Sequence, residues 1–341
     1  MEELSYQLTG ELFFDDLHKS IYATDASVYR KLPMAVAFPK TKDDIKQLIK
    51  FASKHQTHLI PRAAGTSLAG QCVGDGIVVD ISRYFTKILA FDEREKTVTV
   101  EPGVIRDELN SFLKPYGLFF GPNTSTSNRC TIGGMVGNNS SGTTSIQYGV
   151  TRDKVIELET ILSDGSDAIF NSLSPSEFKA KQLGSSLENK IYKNIYRELS
   201  NKEVQEEIIK EFPKSSIHRR NTGYAVDSLL KSSIFSGNEE NINLAKLLSG
   251  SEGTLAFTTA ITLHLDDIPP EKKIIVAAHF HSIQESLKAV LVAMKHPLYM
   301  CELMDKTILD CTKNNREQLK NRFFIEGDPE AVLLLEVKSN T

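Results

Sequence analysis

Cysteine is scarce and scattered. Cys72, Cys130, Cys301 and Cys311 show no CxxC or CxxxC spacing, which excludes a zinc knuckle or a disulfide frame built on close pairs. Reduced thiols in a cytoplasmic setting are the expectation. Cys72 and Cys130 each flank a glycine-rich stretch and read as small packing residues. Excess charge of one sign is also missing. With 40 basic and 44 acidic residues the net charge is −4, so no basic field argues for nucleic acid. No apolar run approaches the ~18 residues that a membrane helix needs. The start, Met1-Glu-Glu-Leu-Ser-Tyr6, is acidic and lacks the basic-then-apolar pattern of a secretory signal. Repeats and low-complexity tracts are absent. No GxGxxG follows a strand and no GK[ST] occurs, which excludes a Rossmann fingerprint and a P-loop.

Glycine is present where it counts. Thr131-Ile-Gly-Gly-Met-Val-Gly-Asn-Asn-Ser-Ser-Gly142 holds four glycines in twelve residues. Such a bend lets backbone approach a ligand closely, and its N–H groups can form an anion site. The alternative is a plain surface turn. Two further stretches share the character: Arg62-Ala-Ala-Gly-Thr-Ser-Leu-Ala-Gly70 and Leu247-Leu-Ser-Gly-Ser-Glu-Gly-Thr-Leu255. The first follows a strand at 57–61, a context in which a loop can hold a diphosphate. Arg62 is its one cation.

Taken in order, residues 1–30 form an amphipathic start. Strands are predicted at 35–38, 76–81, 88–91 and 97–101. Thr41 caps a helix over 42–53, with Ile45, Leu48, Ile49 and Ala52 on one face. Residues 104–113 read as another helix. His55 and His58 lack a third ligand and read as a solvated helix end, so no metal is expected. Residues 154–162 alternate apolar and polar as a half-buried strand does. A charge-rich helical stretch over 188–212 reads as an insertion lying over the sheet. Arg219 and Arg220 precede a turn and Tyr224, and they are either carboxylate-binding forks or surface charges. Pro269-Pro270 marks a boundary. Beyond it come a strand at 273–280, a helix over 283–295 that continues through 298–309, and a strand at 331–337. The chain stops within four residues of that strand, which predicts a piece of a longer protein.

Read together, the motifs resemble the FAD-binding domain of the vanillyl-alcohol oxidase and p-cresol methylhydroxylase family. The branch they resemble is that of flavin-linked D-2-hydroxy-acid dehydrogenases, which includes D-lactate dehydrogenase, the glycolate oxidase flavin subunit and D-2-hydroxyglutarate dehydrogenase. The carriers are Pro61–Gly70, Thr131-Ile-Gly-Gly134 with Asn139 and Gly142, Tyr148-Gly149, Asn221-Thr-Gly-Tyr224, and Gly250-Ser-Glu-Gly-Thr-Leu255. Ala63, Ser67 and Ser141 stand where that family often has glycine, and Met135 where it often has asparagine. No histidine lies between Pro61 and Gly70, so the resemblance implies non-covalent FAD.

The resemblance implies an α+β fold in which two α/β subdomains clasp FAD, followed by the start of a substrate-covering domain. The divisions are 1–32, an N-terminal extension; 33–110; 111–268, with a helical insertion at about 173–215; and 269–341. The implied FAD contacts are Arg62, Ala63, Ala64, Gly65, Thr66, Ser67, Gln71, Pro122, Thr131, Gly133, Gly134, Asn139, Ser141, Gly142, Tyr148, Gly149, Ile156, Glu252, Gly253 and Thr254. Backbone N–H groups of Gly65, Thr66, Gly133 and Gly134 would hold the diphosphate. Arg219, Arg220 and Tyr224 are candidates for the substrate rim, with the base expected in the covering domain. The implied activity is oxidation of a small D-2-hydroxy acid. The electron acceptor would be an iron–sulfur domain or a quinone-linked chain, and contact with the inner membrane would run through a partner. A sugar or lactone oxidase, a reductase of cell-wall precursors, and a non-catalytic nucleotide-binding module of the same fold are the alternatives.

Overall fold

The computed structural model describes residues 1–214, 216–217, 219–220 and 223–340. His218 and the first two residues of the Asn221–Tyr224 motif lie outside them.

Three sheets organise the chain. The first is four-stranded, in the order Glu11–Phe13, Ala35–Phe38, Ile77–Asp80, Leu59–Arg62. Its first pairing is antiparallel and the other two are parallel. Parallel neighbours need crossovers, and the helix Lys42–Lys54 supplies one. That helix begins with a capping box between Thr41 and Asp44, which satisfies orphan N–H donors at its start. Its buried Ile45 and Leu48 pack with Ala35, Ala37, Ile77 and Val79. The edge strand Glu11–Phe13 is an addition to the sequence expectation, which gave residues 1–32 no strand. Pairing with Ala35–Phe38 makes it; three residues carry too short a pattern to be read alone.

The second sheet is antiparallel and five-stranded: Ile88–Asp92, Thr97–Val100, Phe257–His264, Val155–Ile161, Asp167–Phe170. Its core holds Val98, Val100, Leu158, Ile261 and Leu263, together with Leu109 and Leu113 of the helix Arg106–Leu113. The expected division at 110 cuts through this unit. The hairpin pairs with Phe257–His264 rather than with the first sheet. We therefore propose that the division between the subdomains falls before the hairpin.

The charge-rich insertion forms three helices, Pro175–Lys181, Leu187–Leu199 and Lys202–Glu211. The single predicted stretch breaks because Asn201 caps a new helix, its side chain accepting from Glu203 N–H. Phe178, Tyr192 and Leu199 tie it to the second core.

The third sheet places Ala331–Ser339 between Lys272–Phe280 and Met300–Asp305. Here the expected continuation of helix through 298–309 is corrected. Residues 300–305 pair antiparallel with 331–336, and the helix Lys306–Lys313 follows. Pairing with a strand thirty residues later outweighs local pattern. Among the described residues no helix is long and apolar enough to cross a membrane.

Candidate cofactor site

The helix Ile132–Asn138 sits at the centre of the site. Thr131 caps it, its hydroxyl accepting from Gly134 N–H at 3.3 Å. Ile132, Met135 and Val136 are buried at i, i+3 and i+4, so one helical face joins the core. That pattern accounts for the apolar pair within a glycine-rich stretch. Gly134 and Gly137 border a cavity of about 760 Å³. The third glycine-rich stretch closes the far end of the helix. Gly250 N–H donates to the Val136 carbonyl at 2.9 Å, and Glu252 N–H donates to the Gly137 carbonyl at 2.8 Å. The second bond satisfies a carbonyl a short helix would otherwise leave open, and the first joins Asn139 N–H on the Val136 carbonyl. Glu252 holds a positive φ of 55° in doing so.

Three loops complete the wall. Residues 62–69 come from the first sheet, 123–126 precede the central helix and 140–143 follow it. Among the described residues, the N–H groups of Ala64, Gly65, Thr66, Ser67, Thr124, Ser125, Gly142 and Thr143 donate to no protein acceptor. Successive free N–H groups around a concavity make an anion cradle. The Gln71 amide donates to Glu252 Oε1 at 3.2 Å, while its own Oε1 is buried without a partner. A buried acceptor of this kind calls for a donor from a ligand or water.

Of the residues proposed from sequence, Arg62, Ala63, Ala64, Gly65, Thr66, Ser67, Gln71, Thr131, Gly133, Gly134, Ser141, Gly142, Glu252, Gly253 and Arg219 line the cavity. Their roles differ from the expectation in places. Gly133 N–H is bonded to the Pro102 carbonyl at 2.8 Å, and Gly134 N–H to the Thr131 hydroxyl. Neither N–H is free for a diphosphate. Gly133 is needed for packing, since a Cβ there would press into Pro102. The Arg62 guanidinium faces the N-terminal segment, donating to the Thr24 carbonyl at 2.8 Å and lying 4.9 Å from the centre of the Tyr22 ring. It pins that segment to the first loop.

The others lie outside the lining. The Pro122 carbonyl accepts from Arg106 Nε at 2.7 Å. Asn139 is buried, ends the helix at φ 50°, and accepts from Arg152 N–H at 2.8 Å. Tyr148 is buried edge-on against Phe119 and beside Tyr299; burial first, then Tyr299, pushes its hydroxyl pKa up. Gly149 turns the chain at φ 72°. The Ile156 carbonyl accepts from the Asn243 amide. Thr254 bonds the Ser251 carbonyl and the Tyr224 hydroxyl. Arg220 is paired with Asp227 beside Ser228, so its charge is already answered.

Sequence reasoning missed Asn123–Thr126 as wall, and it missed Glu302 and the cysteines. The polar cluster at 121–128 was visible, but nothing local aimed it inward. Cys72 is buried with Asp25 beside its sulfur at 3.6 Å. Burial pushes its thiol up to about 11, against the opposing pull of Arg62, so it stays protonated. Behind the wall, buried Arg152 donates from Nη2 and Nε to the Ser249 carbonyl at 2.6 and 3.1 Å, and from Nε to Lys246. Arg152 fixes the 249–253 loop from below.

Comparison with known proteins agrees with this geometry. Residues 33–167 match the family described as FAD binding domain. The chain is 37% identical over 300 residues to D-2-hydroxyglutarate dehydrogenase of Haemophilus influenzae, covering 86% of this chain and 28% of that protein. It is 33% identical over 321 residues to D-2-hydroxyglutarate dehydrogenase of Escherichia coli, covering 92% and 30%. Glycolate oxidase subunit GlcD of Bacillus subtilis is 37% identical over 169 residues, covering 48% and 36%. The chain thus spans about three tenths of the D-2-hydroxyglutarate dehydrogenases it matches. A solved structure of alkyldihydroxyacetonephosphate synthase superposes with a TM-score of 0.63 at 16% identity, covering 96% of this chain and 53% of the other, which shows the shared fold. Residues 33–167 thus match a FAD binding domain, and the chain is similar over most of its length to D-2-hydroxyglutarate dehydrogenases.

Proposed function

We propose that this chain binds FAD non-covalently and forms the flavin-holding part of an enzyme that oxidises a small D-2-hydroxy acid. One observation carries it: a cavity ringed by three loops, eight of whose N–H groups have no acceptor among the described residues, with the buried Gln71 Oε1 at its edge. The residues present fit the group. A diphosphate needs several converging donors, and loops 62–69, 123–126 and 140–143 offer them. A flavin or adenine ring carries the N–H donor that Gln71 lacks. Bound there, the flavin supplies a two-electron acceptor for the α-hydrogen of the acid.

What the chain's own residues do is bind and orient. The central helix and the 249–253 loop fix one wall, and the first sheet fixes the other. Lining residues include no histidine or tyrosine; of the two lining cysteines Cys72 is held as the thiol and Cys130 Sγ is engaged with the Thr124 hydroxyl, which supports non-covalent attachment. The relatives' names support a 2-hydroxy acid as substrate over a sugar or lactone. The electron acceptor is proposed to be a separate domain or partner; among the described residues no His, Cys, Asp or Glu group is placed to hold a metal. The test is an absorbance spectrum of the purified 341-residue chain, followed by heat release of the chromophore. Flavin bands with colour released as free FAD are expected. A colourless chain that takes up no added FAD would sink the proposal, and colour retained on the denatured protein would sink the non-covalent part.

A further inference from the structure

Arg219 and Glu302 meet across the cavity from different units. Glu302 lies on the strand Met300–Asp305 of the third sheet. Arg219 lies in the segment between the insertion and the second sheet. Both line the cavity, as does Ser141. Arg219 Nε donates to Ser141 Oγ at 3.0 Å, while its Nη1 stands 3.9 Å from Glu302 Oε1. That separation is an ion pair without a hydrogen bond. Among the described residues the guanidinium makes no other hydrogen bond, so its outer edge, the planar fork that suits a carboxylate, is engaged only loosely. Both side chains are partly exposed, at 56% and 36%, and an ion pair of that kind holds weakly. Arg220, by contrast, is tied to buried Asp227. Of the two adjacent arginines, only the first is available to an incoming anion.

We infer that Arg219 anchors the carboxylate of the 2-hydroxy acid and that Glu302 is its resident counter-ion, displaced when the acid binds. Glu302 is thus a positioning residue. It keeps the guanidinium over the cavity between turnovers and sets a threshold that weakly bound anions do not pass. Ser141 fixes the Nε edge, which turns the Nη edge toward the newcomer. The inference rests on FAD binding in the same cavity. The shared chemistry is anionic, and the diphosphate is the other anion that could claim Arg219.

The experiment is calorimetric titration of the FAD-loaded chain with glycolate, alongside FAD affinity measured on the apo chain. Methyl glycolate, which lacks the carboxylate, is the control. Glu302→Gln should tighten glycolate about two- to fivefold, the range an exposed ion pair opposes. Glu302→Asp should return it toward the parent. Arg219→Met should weaken glycolate at least about tenfold, and adding Glu302→Gln to it should change nothing further, because the coupling runs through the guanidinium. FAD affinity should be unchanged in all four. Equal tightening by Glu302→Gln with and without Arg219 overturns the pairing. Loss of FAD affinity in Arg219→Met assigns the guanidinium to the diphosphate and overturns the anchor. A yellow parent chain that ignores glycolate overturns the inference while FAD binding stands. A chain that takes up no FAD removes both.

Discussion

Gly142 decides whether the two loops that follow and precede the central helix can clasp. A Cβ at Gly142 would fall inside the van der Waals envelope of the Asn123 carbonyl oxygen and of its side-chain Oδ1. The carbonyl belongs to backbone and cannot rotate away. The side chain is held as well, accepting from the Thr144 hydroxyl at 3.1 Å. Gly142→Ala must therefore push the 123–126 loop off the 140–143 loop. Overpacking costs roughly 1–3 kcal/mol and the loosened hydrogen bond about 1 kcal/mol, less the fraction regained from a stiffer unfolded chain, which leaves about 2–3 kcal/mol. Gly137→Ala is the matched control. Its Cβ would meet only Glu252 Cα at an ordinary 3.7 Å, and alanine in a helix gains about 0.5–1 kcal/mol over glycine. Urea unfolding of the apo chains should separate the two variants by about 3 kcal/mol in opposite directions from the parent. FAD affinity, read by flavin fluorescence, should fall at least about tenfold in Gly142→Ala, since the Thr124 and Thr143 donors part. Coincident unfolding midpoints for the two variants would refute the steric account of the clasp.

Four other outcomes follow from particular contacts. Gly134→Asp places a carboxylate in the gap between the central helix and Ala63, whose Cβ lies 3.0 Å from the modified position; flavin absorbance should be lost while far-ultraviolet circular dichroism is kept. Arg152→Lys loses the fork that holds the Ser249 and Lys246 carbonyls, which should cost about 2–4 kcal/mol in urea unfolding and weaken FAD through the 249–253 loop. Buried Asp44 accepts from Thr9 N–H and hydroxyl and from the N–H groups of Gly10, Lys40 and Thr41, and Asp44→Asn should destabilise by about 2–3 kcal/mol. Burial works to raise the Asp44 pKa, but those donors outweigh it and hold it below the usual value. Its contribution is therefore present above about pH 4 and fades as pH falls through the folded pKa, so acid unfolding of the Asn variant should show a shallower loss of stability below pH 4.

The motifs were legible because each one sets a small-residue loop directly beside a strand or a helix. The central stretch was read as a glycine-rich bend and is a helix, Ile132–Asn138, whose Thr131 cap and Ile132, Met135, Val136 spacing the glycines masked. What the N–H groups do could not be read. Whether Gly133 faces a ligand or Pro102 depends on a turn thirty residues earlier, and sequence spacing holds no record of that contact. Arg219 and Arg220 looked interchangeable as neighbours. Asp227 separates them, taking one fork and leaving the other over the cavity. Glu302 carried no signal because its partner lies across a domain boundary and its strand exists only through pairing with 331–336. Local chemistry thus pointed to an anion site, while long-range packing decides which N–H groups are left to serve the one proposed. The consequence for the proposed anion site is specific: its free donors are the N–H groups of residues 64–67, 124–125 and 142–143, and not those of the helix N-terminus, whose first N–H groups are already bonded to Val104, Pro102 and Thr131. A ligand held by loops from two separate sheets ties those sheets together, so cofactor binding and the mutual stability of the two units are one equilibrium.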